Sequence, residues 1–357
     1  MMRCFLVIGD GTVFEGMSFG HQCAVLGEIV FTTSMSGYQE SITDPAYKGQ
    51  ILVSAYPLIG DYGINEKYAM SDGIHTAGLV VREYCHEPSD MYGGRTLDSY
   101  MKEHMIPGIS GIYTRDVIKI IRDNGTMNAA IVYDEKDIDA VKKKLKKKIE
   151  PRCLVPSVSV KKAEKIDNGK GISIGIVDCG TVRSMISDLS EKYDIMMFPY
   201  DTKASEITDS GVKGLIISSG PGDPGDPVIT ATVVRTVKDL SSKMPIAGVA
   251  FGAQAIAAAF GCKMMKMKFG HHGSSQPVRS GKRAYITSQN HLYTIDPDSV
   301  KGTDIIVDQT NVNDLTVEGF SHRTLPIFGI MYYPPSLRFG EGSYFYEKFD
   351  KMMEARR

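Results

Sequence analysis

The 357-residue sequence lacks several features that mark membrane, secreted or nucleic-acid-binding proteins. No apolar run approaches the ~18 residues of a membrane-spanning helix, and the apolar stretch at residues 4–8 has the length of a strand. We expect no signal peptide, because the apolar core and small-residue cleavage site of such a segment are missing. A formal net charge of −1 gives no electrostatic case for binding nucleic acid or an anionic membrane.

The six cysteines are widely scattered and form no Cys-x-x-Cys pair. Such scattered cysteines are typical of reduced thiols rather than of a disulfide framework. The sequence therefore predicts a cytoplasmic protein.

The sequence divides into two candidate domains joined by a short segment, and a chain of this length can contain two domains. Residues 1–140 combine short strands, polar loops rich in Gly and Pro, and two segments with helical spacing, which together predict a strand-rich domain. Residues 141–170 begin with the basic run 142–148 and continue as a polar segment rich in Pro, Gly and Lys. We interpret them as a solvated helix end followed by a linker, the alternative being a basic docking patch for a partner protein.

Residues 171–357 alternate apolar strands with helices. This alternation predicts a parallel sheet covered by helices. An amphipathic segment at about residues 344–354 predicts a closing helix.

One stretch, residues 245–254, organises this second domain. Its first five residues are typical of a buried strand, an apolar helix follows, and Gly252 permits a sharp turn between them. Enzymes of the α/β class mount a nucleophile on such an elbow, where amides of the turn face a developing oxyanion. The residue at the tip is Ala250, whose methyl group has no lone pair and cannot attack a substrate.

Motifs along nearly the whole chain resemble those of the carbamoyl-phosphate synthetase small subunit. Each motif is weak alone, and their order makes the resemblance specific. In the first domain they are residues 27–40, 43–45, 56–60, 106–112 and 114–115, and in the second residues 178–180, 219–224, 266–273 and 287–291. The resemblance implies an α/β protein in which a strand-rich α+β domain (1–140) precedes a flavodoxin-like, three-layer class I glutamine amidotransferase domain (171–357).

The resemblance also implies a reaction and a partner. The family's second domain uses an elbow cysteine, with a histidine and a glutamate from one later strand end, to release ammonia from glutamine. The ammonia passes to a large synthetase subunit, which uses ATP and bicarbonate to make carbamoyl phosphate for pyrimidine and arginine synthesis. We therefore expect that large subunit as partner, no cofactor or metal in this chain, and no nucleic-acid or membrane partner.

The catalytic positions depart from the family's pattern. Ala250 takes the place of the elbow cysteine, and the family's Tyr-His-Pro-Glu stretch reads Tyr-Tyr-Pro-Pro at residues 332–335. Tyr333 thus replaces the base and Pro335 the carboxylate. A phenol with a pKa of ~10 is a poor base at neutral pH, and proline has no acid-base group. We expect no catalytic residue and no glutamine hydrolysis by this chain.

The glutamine pocket is kept only in part. Ala46 stands where the family has a serine, Leu292 where a glycine follows Gln-Asn-His, and Ala253 where the elbow has a histidine. Because the nucleophile is gone, we interpret the remaining matches as scaffold, with weak glutamine binding as the alternative. Those remaining pocket positions are Gly220, Gly222, Phe251, Gln254, Asn290 and Tyr293.

Three functions follow as hypotheses. The chain could be a subunit that supports carbamoyl phosphate synthesis from free ammonia, a module that binds glutamine or a related amino acid as a regulatory signal, or a scaffold for an unrelated partner. Leu292 and Ala46 count against the second hypothesis. His271, His272 and His291 are candidate ligands or bases, but adjacent residues of an extended segment point in opposite directions. We therefore expect no two-histidine metal site at His271 and His272.

Overall fold

The computed structural model describes residues 2–146, 153–337 and 343–355. The chain forms two compact units, residues 1–150 and residues 151–357. Within the described ranges, no helix has both the length and the apolar character needed to cross a bilayer.

The first unit is built around a closed β-barrel. Its strands are β1 (Arg3–Ile8), β2 (Val13–Gly20), β3 (Val25–Thr32), β4 (Gln50–Ser54), β5 (Leu58–Ile59), β6 (Gly78–Val80), β7 (Glu83–Tyr84), β8 (Pro107–Ser110) and β9 (Met127–Val132). Its helices are α1 (Tyr38–Ile42), α2 (Leu97–Glu103), α3 (Thr114–Asn124) and α4 (Ile138–Leu145). The barrel order is β1-β2-β8-β6-β4-β3-β9, while β5 and β7 pair separately. The predicted strand-rich α+β domain is confirmed.

A tight hairpin starts this barrel. The Asp10 side chain accepts a hydrogen bond of 2.8 Å from the Thr12 N–H, and Gly11 adopts a φ of 98°. This geometry pairs Val7 with Val13 across β1 and β2. The Gly11 N–H donates to the Ile8 carbonyl at 2.9 Å, so Gly9 and Asp10 are the central residues of the turn, and Gly11 takes the left-handed position that follows it in hairpins with longer loops.

The described residues of the second unit form a ten-stranded sheet covered by helices. Its strands are β10 (Glu164–Ile166), β11 (Ser173–Asp178), β12 (Asp194–Pro199), β13 (Leu215–Ile217), β14 (Ile246–Val249), β15 (Met264–Ser280), β16 (Arg283–Ile295), β17 (Ile305–Asn311), β18 (Val317–His322) and β19 (Ile327–Ile330). Its helices are α5 (Arg183–Ser190), α6 (Ala204–Asp209), α7 (Pro227–Ile229), α8 (Arg235–Leu240), α9 (Phe251–Ala259) and α10 (Tyr344–Glu354). The predicted closing helix is confirmed by α10.

The centre of this sheet is parallel and runs in the order β12-β11-β13-β14-β19. Counted along the chain, that is the 2-1-3-4-5 order of flavodoxin-like folds, whose sites lie beyond the carboxyl ends of the strands. The five parallel strands carry the apolar core, and all four residues of β14 are buried. The flavodoxin-like prediction is therefore confirmed.

The sheet also extends further than the sequence pattern predicts. Strands β18, β17, β15 and β16 continue it in antiparallel fashion beyond β19. The sequence pattern shows only residues 284–287 and 304–307 of this extension, because β15 and β16 carry long polar stretches without clean alternation. Residues 227–240 do not form one regular α-helix either, since a π-helical turn (Thr230–Val234) separates α7 from α8.

The segment predicted as a basic helix end and linker, residues 141–170, contains short pieces of regular structure. Val141 and Leu145 of α4 are buried while Lys143 and Lys144 are exposed, so the described part of the basic run is a solvated helix face. Residues 147–152 lie outside the described residues. Further on, β10 pairs antiparallel with β12. Within the predicted linker, residues 164–166 thus form an edge strand of the second unit's sheet.

Candidate functional site

The elbow lies where β14 ends and α9 begins. Ala250 joins them with φ 48° and ψ −110°, a conformation that a residue with a Cβ atom rarely adopts, and it is only 2% exposed. Its N–H donates to the Ile330 carbonyl at 2.8 Å, and its own carbonyl accepts from the Gln254 N–H at 3.1 Å. The chain thus holds a strained turn in place although the side chain at its tip is a methyl group.

Two glycines let the helix approach the sheet this closely. A Cβ atom at Gly252 would lie 2.8 Å from the Ser218 carbonyl oxygen and closer still to that of Ile217. A Cβ atom at Gly248 would lie 2.6 Å from the Ala253 nitrogen. The elbow is therefore a packing arrangement that requires glycine on both sides of Ala250.

The strand end after β19 carries the other two predicted catalytic positions. Strand β19 runs parallel to β14, with Ile330 paired to Val249. Beyond it, the Tyr333 N–H donates to the Ser288 carbonyl at 2.9 Å; Tyr333 is partly buried and Pro335 is exposed. The fold therefore brings the positions of Ala250, Tyr333 and Pro335 to neighbouring strand ends, and these residues include no nucleophile, imidazole or carboxylate.

Three of the remaining pocket positions, Gly220, Gly222 and Phe251, belong to the loop after β13 and to the start of α9. Gly220 follows β13, which is parallel to β14, and a Cβ atom there would crowd the Cys179 side chain at 3.0 Å. Phe251 is the first residue of α9 and is 2% exposed; its amide belongs to a helix N-terminus, which carries partial positive charge. Gly222 is exposed and has a φ of 91°. The backbone framework of the site is thus retained.

The polar side chains of the predicted pocket are engaged within the second unit. Gln254 is 2% exposed, and its Nε2 donates to the Tyr293 carbonyl at 2.6 Å, which connects α9 to β16. Asn290 is 5% exposed, and its Oδ1 lies 2.8 Å from His272 Nδ1. These contacts support the scaffold interpretation, because each side chain stabilises the domain without a ligand.

The substituted pocket positions are buried or partly buried. Leu292 is buried in β16, next to the partly buried Tyr293, and Ala253 is fully buried in α9. Ala46 lies in the first unit, in a 3-10 turn (Pro45–Tyr47), where its N–H donates to Asp44 Oδ1 at 2.9 Å. A role for any of them at a glutamine pocket stays a prediction.

Comparison with known proteins assigns this architecture to a family. The family model described as "Carbamoyl-phosphate synthase small chain, CPSase domain" matches residues 6–131, and the model described as "Glutamine amidotransferase class-I" matches residues 175–351. The chain is 40% identical to the carbamoyl phosphate synthase small chain of Caldanaerobacter subterraneus subsp. tengcongensis over 99% of this chain and 96% of that protein. The chain belongs to the carbamoyl phosphate synthase small-chain family.

Two further relatives show the same end-to-end similarity. The small chain of Archaeoglobus fulgidus is 38% identical over 99% of this chain and 98% of that protein. The pyrimidine-specific small chain of Bacillus subtilis is 39% identical over 99% of this chain and 96% of that protein. The family resemblance inferred from the motifs is therefore confirmed, and with it the class I glutamine amidotransferase fold of the second unit.

The chain also contains a buried polar cluster. The sequence indicated two of its histidines as candidate ligands or bases but did not predict that they lie together with a glutamate. His271 and His291 face each other across β15 and β16, and Glu318 of β18 joins them. His271 Nε2 lies 2.9 Å from Asp314 Oδ2, and its Nδ1 lies 3.2 Å from Glu318 Oε1. The signal was the pair of His-containing motifs, but their register across the hairpin could not be read from the sequence.

Burial and ion pairing shift the pKa values of this cluster in opposite directions. Burial disfavours the charged His271 ring, but the nearby Asp314 and Glu318 carboxylates outweigh it and raise the pKa of His271 to about 9. Burial raises the pKa of the Glu318 carboxyl, although His271 partly opposes the shift. Burial lowers the pKa of His291 well below its usual value, and the nearby His271 charge adds to this effect.

Proposed function

We propose that this chain is a small subunit of carbamoyl-phosphate synthetase that has lost its own glutaminase reaction, so that the complex uses free ammonia. The large subunit would bind ATP and bicarbonate and form carbamoyl phosphate for pyrimidine and arginine synthesis in the cytoplasm. One observation supports the loss above all others: Ala250 occupies the tip of an elbow that is otherwise intact. Amide cleavage through a thioester requires a sulfur atom at that point, and a methyl group supplies none.

The two cysteines within the residues that match the glutamine amidotransferase model, Cys179 and Cys262, do not replace the missing nucleophile. Cys179 follows β11 and is fully buried, and Cys262 follows α9 and is 5% exposed. Burial raises the pKa of both thiols above the usual value. Because the thiolate is the reactive form, neither cysteine is suited to attack glutamine at neutral pH.

The base and the carboxylate are missing together with the nucleophile. In a hydrolase triad, loss of the nucleophile alone costs about 10⁶-fold in rate, and further losses within the same unit add little. The substitutions at Tyr333 and Pro335 therefore add little to the loss of hydrolysis rate that Ala250 alone is expected to cause. The persistence of the family's framework around these positions supports a role in holding the large subunit or its ammonia entrance.

Reconstitution with the large subunit tests this proposal. We would measure carbamoyl phosphate formation by the complex with saturating glutamine and, separately, with ammonium. We expect ammonium-supported turnover and no glutamine-supported turnover above the rate of the large subunit alone. A small chain with an intact Cys, His and Glu, paired with the same large subunit, serves as the control for glutamine use.

The comparison has outcomes that would overturn the proposal. Turnover supported by glutamine would show that the chain still hydrolyses it. Failure of the two chains to associate, while the intact small chain binds the same large subunit, would exclude the partnership. Calorimetry of the lone chain with millimolar glutamine separates the regulatory alternative, since the scaffold interpretation of Gln254 and Asn290 predicts no heat of binding.

A further inference from the structure

The cluster of His271, His291 and Glu318 is buried and compact. These residues are 5%, 7% and 0% exposed, and one ligand atom from each lies within 4.8 Å of the others. The two imidazole rings are 5.1 Å apart between centroids. Bulges on both sides of residues 271–273 interrupt the register of β15 and β16, and such irregularities commonly re-aim side chains near functional sites.

Each histidine is held by an outer partner through one ring nitrogen. His271 Nε2 lies 2.9 Å from the Asp314 carboxylate, and His291 Nδ1 lies 2.8 Å from the Tyr293 carbonyl. Each ring can donate its proton to that partner, which leaves His271 Nδ1 and His291 Nε2 as lone pairs. Metal-binding histidines are held in this way, with the second nitrogen donating to a carboxylate or a backbone carbonyl.

The inner nitrogens then face oxygen atoms without a proton between them. His271 Nδ1 is buried, makes no hydrogen bond to the part of the chain that the structure describes, and lies 3.2 Å from Glu318 Oε1. His291 Nε2 lies 3.0 Å from Gln289 Oε1.

Exchanging the oxygen and nitrogen positions of the Gln289 side-chain amide does not remove the contact between two acceptors. Gln289 Nε2 donates to Glu318 Oε2 at 2.9 Å, so the turned amide would bring its oxygen against the carboxylate instead. Asn311 Nδ2 already donates to Glu318 Oε1 at 3.1 Å. The network therefore needs an additional cation, either a proton or a metal ion.

We propose that His271, His291 and Glu318 bind a divalent metal ion, with zinc the best match to the donor set. Two imidazole nitrogens and one carboxylate oxygen form a known zinc ligand set. Donors about 2.1 Å from a tetrahedral zinc ion lie about 3.4 Å apart, and the His271–Glu318 contact of 3.2 Å is already close to that spacing. The fourth position would fall to the Gln289 oxygen or to water.

The proposed site does not use the adjacent pair His271 and His272, for which the sequence predicted no metal site. His272 faces Asn290 rather than the cluster, as expected for adjacent residues of a strand. The cross-strand register supplies His291 as the second histidine instead. The backbone carbonyl of Glu318 accepts the Met331 N–H at 2.8 Å, so a bound ion would brace the segment that leads to Tyr333.

Metal content of the purified full-length chain, free of any histidine tag, tests the proposal. The chain is treated with a chelator, titrated with zinc against a chromophoric competitor, and analysed by plasma mass spectrometry. We expect about one zinc ion per chain and a lower melting temperature after chelation. His291→Ala and Glu318→Gln should each reduce zinc occupancy at least tenfold at the same free zinc concentration.

Two further variants keep the test decisive if those substitutions impair folding. Asp314→Asn keeps all three ligands and alters a side chain that is 40% exposed, and loss of such an outer partner lowers metal affinity about 10–100-fold. His272→Asn removes a buried histidine outside the cluster and should bind zinc as the wild type does. The proposal is overturned if the wild type takes up no zinc, with His271 found as an imidazolium by NMR, or if Asp314→Asn leaves the affinity unchanged.

Discussion

The elbow at residues 249–251 and the strand end at residues 331–335 lie at the same edge of the sheet. They differ in which structural features of the family's site each still contains. At the elbow, the strained backbone of Ala250 and the close approach of Gly252 persist. At the strand end, Tyr333 keeps a backbone bond to Ser288, while the imidazole and carboxylate expected from the family pattern are absent.

This difference separates folding from chemistry. The glycines of the elbow are required by packing, because a Cβ atom at Gly252 would meet the backbone carbonyl of Ile217 and one at Gly248 would meet the backbone nitrogen of Ala253. A catalytic carboxylate at the exposed position of Pro335 contributes little to stability, since surface substitutions usually change the free energy of unfolding by less than about 0.5 kcal/mol. The proposed loss of catalysis is therefore consistent with changed side chains at the strand end and a conserved backbone at the elbow.

The largest expected effect comes from rebuilding the missing side chains on the surviving backbone. We expect the variant Ala250→Cys, Tyr333→His, Pro335→Glu with Leu292→Gly to release glutamate from glutamine at least about 10³-fold faster than wild type. The reason is that triad members act as a unit and the elbow supplies oxyanion donors. A coupled glutamate dehydrogenase assay measures the rate.

The matched control carries the same three substitutions at 292, 333 and 335 and keeps Ala250. It should remain at background, as should Ala250→Cys alone, which lacks a base and a carboxylate. A folded quadruple variant with no activity would show that the elbow has lost its catalytic geometry too, and the contrast between the two regions would fail.

Gly252→Ala should have the largest effect on stability. Its Cβ atom would lie 2.8 Å from the Ser218 carbonyl oxygen and closer to that of Ile217, and backbone at the centre of a sheet cannot give way. We expect a loss of more than about 4 kcal/mol in the free energy of unfolding, measured by urea denaturation.

Two control variants give reference values for the stability loss of Gly252→Ala. Gly261→Ala, at a glycine with φ 91° and no atom within 4 Å of the added Cβ, should cost about 1 kcal/mol from backbone strain alone. Pro335→Ala, at the exposed strand end, should change stability by less than about 0.5 kcal/mol. Similar losses for Gly252→Ala and Pro335→Ala would remove the proposed asymmetry.

The elbow could be predicted from sequence because its determinants are local. A short apolar strand, Ala250, Gly252 and an alanine-rich helix follow one another within residues 245–259. The parallel order of the sheet also follows from the strand-helix alternation together with the family resemblance. In each case neighbouring residues, or the repeated pattern of elements, contain the information.

The polar cluster could not be predicted, because it depends on register and on distant strands. His271 meets His291 only through a hairpin interrupted by bulges, and Glu318 reaches them from β18, which the sequence pattern did not indicate. Shifting a strand register by one residue turns every side chain to the other face. Polar residues such as Gln289 also hide β16 from a search for apolar alternation.

Gln254→Ala should have an intermediate effect, since Gln254 connects the elbow helix to β16. Its Nε2 donates to the Tyr293 carbonyl at 2.6 Å from a site that is 2% exposed. We expect a loss of about 1–3 kcal/mol in the free energy of unfolding, because the buried carbonyl loses its partner. Gln254→Glu, which cannot donate, should be at least as destabilising; no loss in either variant would argue against a structural role.

The smallest effect is expected at Ala250 itself, and its sign is the informative quantity. Relief of backbone strain is worth about 1–3 kcal/mol, while the freedom of glycine in the unfolded chain costs about 0.5–1 kcal/mol and the lost methyl burial about 0.8 kcal/mol. At the midpoints of these ranges the gain exceeds the losses, and Ala250→Gly should therefore stabilise the protein by about 0.5 kcal/mol. Ala255→Gly, in the regular buried part of α9, has no strain to relieve and should destabilise it by about 1–2 kcal/mol. Thermal unfolding of both variants gives the comparison. Equal losses would mean that Ala250 bears no strain, and the elbow would then be an ordinary turn rather than one held in place by its packing.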